Sequence, residues 1–212
     1  MRVVLYAEGS GEVGAGALRP APGRLLVEEL LGPGHILISG AITLARGIPH
    51  EGIHFEQPLR TRGRLAKGSD LISRTTLRQL LTWADPARRP DLAVVLVDAD
   101  GDSSRRRTLL AETNALPVTK IIAVAVEEFE AWLVADQKAV AEVLGSKARL
   151  DDRPEKLPRR EAKRLLASWC GQPDESRSGE MIRLSLARHA DPSRLRARSA
   201  SYAQLVEDLG PT

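Results

Sequence analysis

The chain has 212 residues, of which 42% are hydrophobic and 28% are charged, as in ordinary soluble proteins with a substantial core. Aromatic residues make up only 3%, which argues against a platform for stacking nucleic-acid bases. The single cysteine, Cys170, excludes an internal disulfide and fits a reducing cytosol. Because no apolar run approaches the ~20 residues that span a bilayer, we expect a cytoplasmic protein with no membrane contact.

Predicted strands and helices alternate along the first two thirds of the chain. Residues 3–7 (VVLYA), 92–97 (LAVVLV) and 120–126 (KIIAVAV) are apolar runs typical of buried strands, and weaker patterns predict strands over 35–39 and 50–56. Apolar residues at helical spacing predict helices over 25–31, 71–83, 108–115 and 128–143. After residue 146 the sequence becomes Arg-rich and interrupted by prolines, and predicts helices over 161–169, 179–190 and 199–209.

This alternation predicts an α/β fold, Rossmann-like, with a mostly parallel central sheet flanked by helices. Residues 1–145 would form the α/β domain, and residues 146–212 a basic helical extension packed on it or continuous with it. In that extension Lys and Arg exceed Asp and Glu by four, which permits an anionic partner.

A glycine-rich loop follows the first predicted strand and matches G-x-G-x-x-G at Gly9, Gly11 and Gly14. A dinucleotide site of this type needs a helix that starts within the loop. Pro20 and Pro22 would interrupt such a helix, and Glu8 would repel a pyrophosphate. A tight turn is the favoured interpretation, and a nicotinamide-dependent oxidoreductase is the weaker alternative.

The segment HEGIH matches the zinc-protease pattern H-E-x-x-H through His50, Glu51 and His54. The pattern binds zinc only on a helix, where both imidazoles share one face. Pro49, Gly52 and Pro58 disfavour a helix, so ordinary surface or strand histidines are expected.

Acidic residues follow three of the predicted strands: Glu8 after the first, DADGD (Asp98, Asp100, Asp102) after the central one, and Glu127, Glu128 and Glu130 after the last. In parallel sheets the chemistry lies at the carboxyl ends of the strands, so these acids are expected to meet. Closely placed carboxylates repel one another unless a cation lies between them, and Mg²⁺ or Mn²⁺ prefers carboxylate oxygens. The alternative is that these acids cap helices or lie solvated in loops.

Four segments, YAEGSGE, VVLVDADGD, AVAVEEFEAWLVAD and RLRARSASYAQLVEDL, resemble those of small bacterial Toprim-like proteins of unknown function. The Toprim fold is shared by topoisomerases, primases and some nucleases, and the small family is often encoded beside an ATPase in phage-defence operons. The resemblance implies that Glu8 is a metal ligand or general acid/base and that Glu12 is a second catalytic acid. It also implies metal ligation by Asp98 and Asp100, and it matches Glu128 and Glu130 to the family's E-F-E pair, which would help to hold metal, with Asp136 as a weaker addition. Asp102, from the same acidic run, is a further candidate metal ligand.

This resemblance implies a Mg²⁺- or Mn²⁺-dependent nuclease that cleaves phosphodiesters in DNA or RNA and acts with an ATPase partner in anti-phage defence. The expected phosphate contacts are basic residues in two runs: Arg60, Arg62 and Arg64, and Arg105, Arg106 and Arg107. The larger Toprim nucleases also use a basic residue near the metal, for which Lys120 and Lys67 are the candidates. The alternative function is a non-catalytic regulatory subunit that binds the ATPase.

Overall fold

The computed structural model describes residues 3–8, 21–31, 60–61, 64–65, 68–150, 153–170 and 177–210. Two 3₁₀ turns, Pro86–Arg88 and Pro154–Lys156, accompany the helices and strands. The strands are β1 (Val3–Ala7), β2 (Arg60–Thr61), β3 (Arg64–Leu65), β4 (Leu92–Asp98) and β5 (Thr119–Ala125). The helices are α1 (Pro22–Leu31), α2 (Ser69–Ile72), α3 (Arg74–Leu80), α4 (Arg105–Thr113), α5 (Glu130–Leu133), α6 (Gln137–Leu144), α7 (Glu161–Cys170), α8 (Arg177–His189), α9 (Pro192–Arg198) and α10 (Ala200–Leu209).

The main sheet is small, open and entirely parallel, with the strand order β1-β4-β5. β4 lies in the centre, where its seven residues are all buried, as expected for a strand covered on both faces. Leu5 pairs with Val94, and Val94 pairs in turn with Ile121. The predicted α/β fold with parallel strands is therefore confirmed, and the carboxyl ends of all three strands lie at one edge of the sheet.

Alternate residues of each strand enter two separate cores, as the strand period of two requires. Leu5, Val94 and Ala123 face a core shared with helices α1 and α5–α10. Tyr6, Val95 and Ile122 face the opposite core, which α2, α3 and α4 complete. Helices of the Arg-rich region, through residues such as Leu186 and Tyr202, thus pack in the same cluster as one face of the sheet.

Two helices predicted as continuous are interrupted, because a capping side chain starts a new helix within each. The helix predicted over 71–83 is divided between α2 and α3 at Ser73, whose hydroxyl caps α3. The helix predicted over 128–143 is divided between α5 and α6, where Asp136 accepts from the backbone N–H of Lys138 and Ala139. Both of these predictions were wrong in the same way, since apolar periodicity continues across each break.

Two other helices begin earlier in the structure than the sequence predicts. α1 begins at Pro22, three residues before the predicted start, and α4 begins three residues before its predicted start at residue 108. Pro22 is the first residue of α1, a position that proline's fixed φ suits. Helix α9 was not predicted, although Asp191 caps it and proline follows at its first position. The strands predicted over 35–39 and 50–56, the glycine loop and the HEGIH segment lie outside the described residues.

Candidate functional site

The acids that follow β1 and β4 are brought together at the carboxyl edge of the sheet. Glu8 directly follows β1, and its Oε2 accepts a 2.9 Å hydrogen bond from the backbone N–H of Asp98, the last residue of β4. The backbone N–H of Glu8 donates to the carbonyl of Leu96 at 3.1 Å, so the strand pairing continues to this point. Glu8 is thus held beside the end of the central strand.

The turn after β5 carries two further acids to the same place. Glu127 has a φ of 61°, which reverses the chain sharply, and the N–H of Glu128 then donates to the carbonyl of Val126. The backbone N–H of Phe129 donates to Asp98 Oδ1 at 2.7 Å. This bond ties the end of β4 to the turn after β5, and it fixes the orientation of the Asp98 carboxylate.

Three carboxylates surround the ammonium group of Lys163, which lies in the first turn of α7. The distances from Lys163 Nζ are 3.9 Å to Asp98 Oδ2, 3.9 Å to Glu128 Oε2 and 3.6 Å to Glu130 Oε2. The other oxygen of Glu128 accepts from the backbone N–H of Lys163 at 2.9 Å, which docks α7 onto this edge. The three acids, from two strand ends, therefore face one cation position.

Glu130 is the most deeply buried of these acids, with 3% of its surface exposed. Its Oε2 has no hydrogen-bond partner within the described part of the chain, and Arg183 Nη1 lies 3.5 Å from its Oε1. Burial raises the pKa of Glu130, and the positive charges of Lys163 and Arg183 only partly oppose that rise. Its carboxylate is thus poorly compensated by the chain itself.

The DADGD loop separates its aspartates. The strand ends at Asp98, and Asp100 has a φ of 50°, so the two side chains do not continue a strand alternation. Asp100 Oδ1 instead pairs with the guanidinium of Arg159 at 2.9–3.0 Å. Asp102 accepts from the N–H and hydroxyl of Ser104, which lower its pKa and close the turn before α4. Asp102 therefore stabilises the loop, while Asp100 lies at the rim of the site.

The three arginines that begin α4 have different surroundings. The guanidinium of Arg105 donates to the carbonyl of Asp98 and lies 3.8 Å from Asp100 Oδ2, so it belongs to the site. Arg106 pairs with Asp208 at 2.6 Å and donates to the carbonyl of Ile122, which links α4 to α10 and β5. Arg107 is exposed. Of the three predicted phosphate contacts in this run, the structure places Arg105 against the acids.

Several predicted site residues lie outside what the structure describes. Glu12, Arg62 and Lys67 belong to segments outside the described residues, as do the side chains of Arg60 and Arg64. Lys120 is described, and it lies in the first half of β5, at the opposite end of the sheet from the acids. Its ammonium donates to the carbonyls of Leu116 and Val118, and burial lowers its pKa. Lys120 is therefore not the basic residue of this site.

Sequence reasoning missed the three cations that contact the acids from the C-terminal third: Arg159, Lys163 and Arg183. The signal that could have found Arg159 and Lys163 is the density of positive charge at the start of α7, in LPRREAKR. Asp136, the weaker candidate, lies elsewhere: its carboxylate caps α6, accepts from the N–H of Asp191 and pairs with Arg194 at 2.8 Å. It holds helices together and does not face the site.

The donor chemistry of the edge fits a hard divalent cation, although the acids are arranged around an ammonium group. Among the described residues, no set of three or more His, Cys, Asp or Glu is close enough to form a preformed metal site. Four cations, Arg105, Arg159, Lys163 and Arg183, contact the acids of this edge. In the described part of the chain these cations lie against Asp98, Asp100, Asp102, Glu128 and Glu130, so a metal would have to displace or share that positive charge.

Comparison with family models, with curated proteins and with solved structures yields no match to this chain. The resemblance to Toprim proteins therefore stays a prediction from the sequence motifs. Within the described ranges, no helix combines the length and the apolar character needed to cross a membrane.

Proposed function

We propose that the chain is a Toprim-like, Mg²⁺- or Mn²⁺-dependent nuclease that hydrolyses phosphodiester bonds in DNA or RNA. The observation that carries the proposal is the convergence of Asp98, Glu128 and Glu130 on one cation position at the carboxyl edge of a parallel sheet. In open α/β sheets, ligands bind at this edge. Acids from separate strand ends, held by backbone hydrogen bonds, are the ligand type that Mg²⁺ and Mn²⁺ prefer.

Asp98, Glu128 and Glu130 would hold the metal, with Glu8 beside them as ligand or general base and Asp100 at the rim. When bound, a divalent metal activates a water molecule and neutralises the leaving oxygen of a phosphodiester. The chain's own residues supply the orientation. Phe129 N–H holds the Asp98 carboxylate in place, and Arg105 lies beside it, where a guanidinium can bind a phosphate through two hydrogen bonds.

Lys163 has two positions available in this proposal. Its side chain is 37% exposed, so rotation about its flexible stem can move the ammonium out of the acids. In the metal-free chain the ammonium partly neutralises the carboxylates. With metal and substrate bound, the same group turns toward the phosphate and stabilises its negative charge. Lys163 is thus the basic residue that the sequence motifs left unplaced.

The cellular role follows from the motif likeness alone. We propose a cytoplasmic protein that acts with an ATPase encoded nearby in defence against phage. An ATPase subunit would supply the trigger, because a nuclease with unrestricted access to cellular nucleic acid would damage its host.

A cleavage assay tests the proposed activity. Labelled plasmid DNA and transfer RNA are incubated with the protein and Mn²⁺ or Mg²⁺, with and without the ATPase. Asp98→Asn is expected to abolish cleavage, because the amide keeps the shape and removes the charge that faces Lys163. Asp91→Asn is the matched control, since Asp91 is exposed and lies just before the opposite end of the same strand. Equal cleavage by both variants overturns the assignment of this edge.

The second candidate function is a non-catalytic subunit that binds the ATPase. One observation favours it: the chain's own cations already contact Asp98, Asp100, Glu128 and Glu130. A purely structural charge network needs no metal. Cleavage that requires Asp98 excludes this alternative, whereas ATPase binding without any cleavage supports it.

A further inference from the structure

A strongly basic segment borders the acidic edge, over residues 156–164. Five of its nine residues are cationic, Lys156, Arg159, Arg160, Lys163 and Arg164, against one acid, Glu161. Lys156 and Arg160 are exposed and have no ion-pair partner among the residues that the structure describes. The side chain of Arg164 is 78% exposed and pairs with Glu161, an exposed contact of the kind that water and salt weaken. Most of the positive charge therefore faces solvent.

The backbone of this segment is fixed at both ends. Just before it, the carboxylate of Glu155 accepts hydrogen bonds from the backbone N–H of Ala200 and Ser201 and from the hydroxyls of Ser199 and Ser201. Further along, the N–H of Lys163 donates to Glu128. The acid directly before the segment is thus turned inward to cap α10, and the backbone that carries the cations is held in place.

The basic segment is continuous with the acid cluster. Lys163 and Arg164 lie in the first turn of α7, and Arg160 directly precedes that helix, so the three cations follow one another closely along the chain. Lys163 reaches the three buried carboxylates, and Arg159 reaches Asp100. A ligand that lies along the exposed cations is therefore delivered to the edge where the acids meet.

The backbone of Arg160 has an unusual conformation. Its φ is 64°, in the left-handed region where glycine and asparagine are favoured and a long side chain is uncommon. An arginine thus occupies a left-handed backbone position directly before α7, where a long side chain is disfavoured. Residues in such conformations concentrate at ligand-binding sites.

We propose that residues 156–164 form the surface that binds the phosphate backbone of a nucleic acid and places it over the acidic edge. The proposal rests on the proposed function for what then happens to the strand, and it names contacts other than the arginine runs predicted from sequence. Exposed lysine and arginine side chains suit a polyanion read through its charge alone. With aromatic residues at 3% of the chain, base stacking contributes little, so binding is independent of base sequence and strongly dependent on salt.

Fluorescence anisotropy with a labelled mixed-sequence duplex and its single strand, in EDTA over a range of salt concentrations, tests this surface without any metal. The variant is Lys156→Gln with Arg160→Asn and Arg164→Gln, in which asparagine suits the positive φ. The matched control is Lys138→Gln with Lys147→Gln and Arg188→Gln, three exposed cations on other elements. Both variants lower the formal net charge from +3 to 0, so they separate a local surface from overall charge.

For the surface variant we expect binding at least about tenfold weaker at low salt and a log–log salt slope smaller by about 2 to 3, since each phosphate contact contributes about 0.9. The control is expected to bind like wild type. An equal loss in both variants, or none in either, overturns the proposal, and so does equally tight competition by polyglutamate, which would indicate an acidic protein partner. Because metal binding is measured separately, loss of the metal site leaves this result intact, and the two proposals fail independently.

Discussion

Two groups of acids, one that holds helices together and one at the carboxyl edge of the sheet, have different surroundings. Asp136 and Glu155 each accept a full set of hydrogen bonds, and Asp136 pairs with Arg194 at 2.8 Å. Asp98, Glu128 and Glu130 face Lys163 at 3.6–3.9 Å, beyond hydrogen-bond length, and one oxygen of Glu130 has no hydrogen bond in the described residues. The first group stabilises the fold, whereas the second includes Glu130, whose buried charge the described residues compensate only in part.

The directions of the pKa shifts agree with this difference. Burial by itself raises the pKa of Asp136 and of Glu155, but their hydrogen bonds outweigh it and leave both pKa values below the usual range. For Glu130 burial dominates, and its pKa is raised. Burial alone therefore does not mark a functional acid. What distinguishes Glu130 from Asp136 and Glu155 is that one of its carboxylate oxygens accepts no hydrogen bond within the described residues.

The largest effect is expected from Asp136→Asn. This change removes the charge that pairs with Arg194 and weakens the cap of α6, so the free energy of unfolding should fall by roughly 2–4 kcal/mol. Urea denaturation measures the difference. Glu142→Gln, on the exposed side of the same helix, should change stability by less than about 0.5 kcal/mol. Similar values for the two variants would remove the structural role assigned to Asp136.

A smaller loss, roughly 1–3 kcal/mol, is expected from Glu155→Gln, which keeps the shape but weakens the hydrogen bonds to α10. The pH dependence should change too. A depressed pKa contributes stability that is present above the unfolded value of about 4.3 and is lost as pH falls through the folded value. Thermal unfolding between pH 7 and 3 should therefore decline less steeply in the variant than in wild type. An identical decline would show that Glu155 is not a source of the acid sensitivity.

Lys163→Met should tighten Mn²⁺ binding by about tenfold, equivalent to about 1.4 kcal/mol. The methionine fills similar space but no longer competes with the metal for Asp98, Glu128 and Glu130. Isothermal titration of both proteins, with Lys138→Met as the control, gives the ratio of affinities. Unchanged or weaker binding in Lys163→Met would show that the ammonium does not occupy the metal position.

The smallest effect on stability is expected from Glu130→Gln, a change within about 1 kcal/mol in either direction without metal. Burial disfavours the ionised form, as the raised pKa of Glu130 indicates, and an amide avoids that cost while it loses the ion contacts with Lys163 and Arg183. Comparison of its urea midpoint with that of Asp136→Asn sharpens the contrast between the two groups. If Glu130→Gln were destabilised as strongly as Asp136→Asn, both groups would be structural.

The sequence predicted the positions of the acids that lie at the carboxyl ends of the strands. VVLYA, LAVVLV and KIIAVAV are long apolar runs, and parallel strands necessarily place Glu8, Asp98 and Glu128 at one edge. The aspartates of DADGD were harder to place from the sequence, because the strand ends at Asp98 and the positive φ of Asp100 turns the backbone away from it.

The cations could not be predicted in the same way. Lys163 and Arg183 follow Glu130 by 33 and 53 residues and reach it only because α7 and α8 dock on the sheet. That docking depends on how several helices with similar amphipathic patterns pack together. Apolar periodicity identifies such helices, but it does not predict which of them packs at which place on the sheet. The break at Asp136 was missed for a related reason: apolar spacing runs through EAWLVADQKAV, and only the capping aspartate marks the new helix.

Mn²⁺ titration calorimetry on wild type and on Asp98→Asn with Glu130→Gln tests the central claim most directly. We expect wild type to bind Mn²⁺ at millimolar concentrations or below. The double variant should give no binding heat while it unfolds as cooperatively as Asp91→Asn. Binding that survives in the double variant, or is absent from wild type, would contradict a metal site at the carboxyl edge of the sheet.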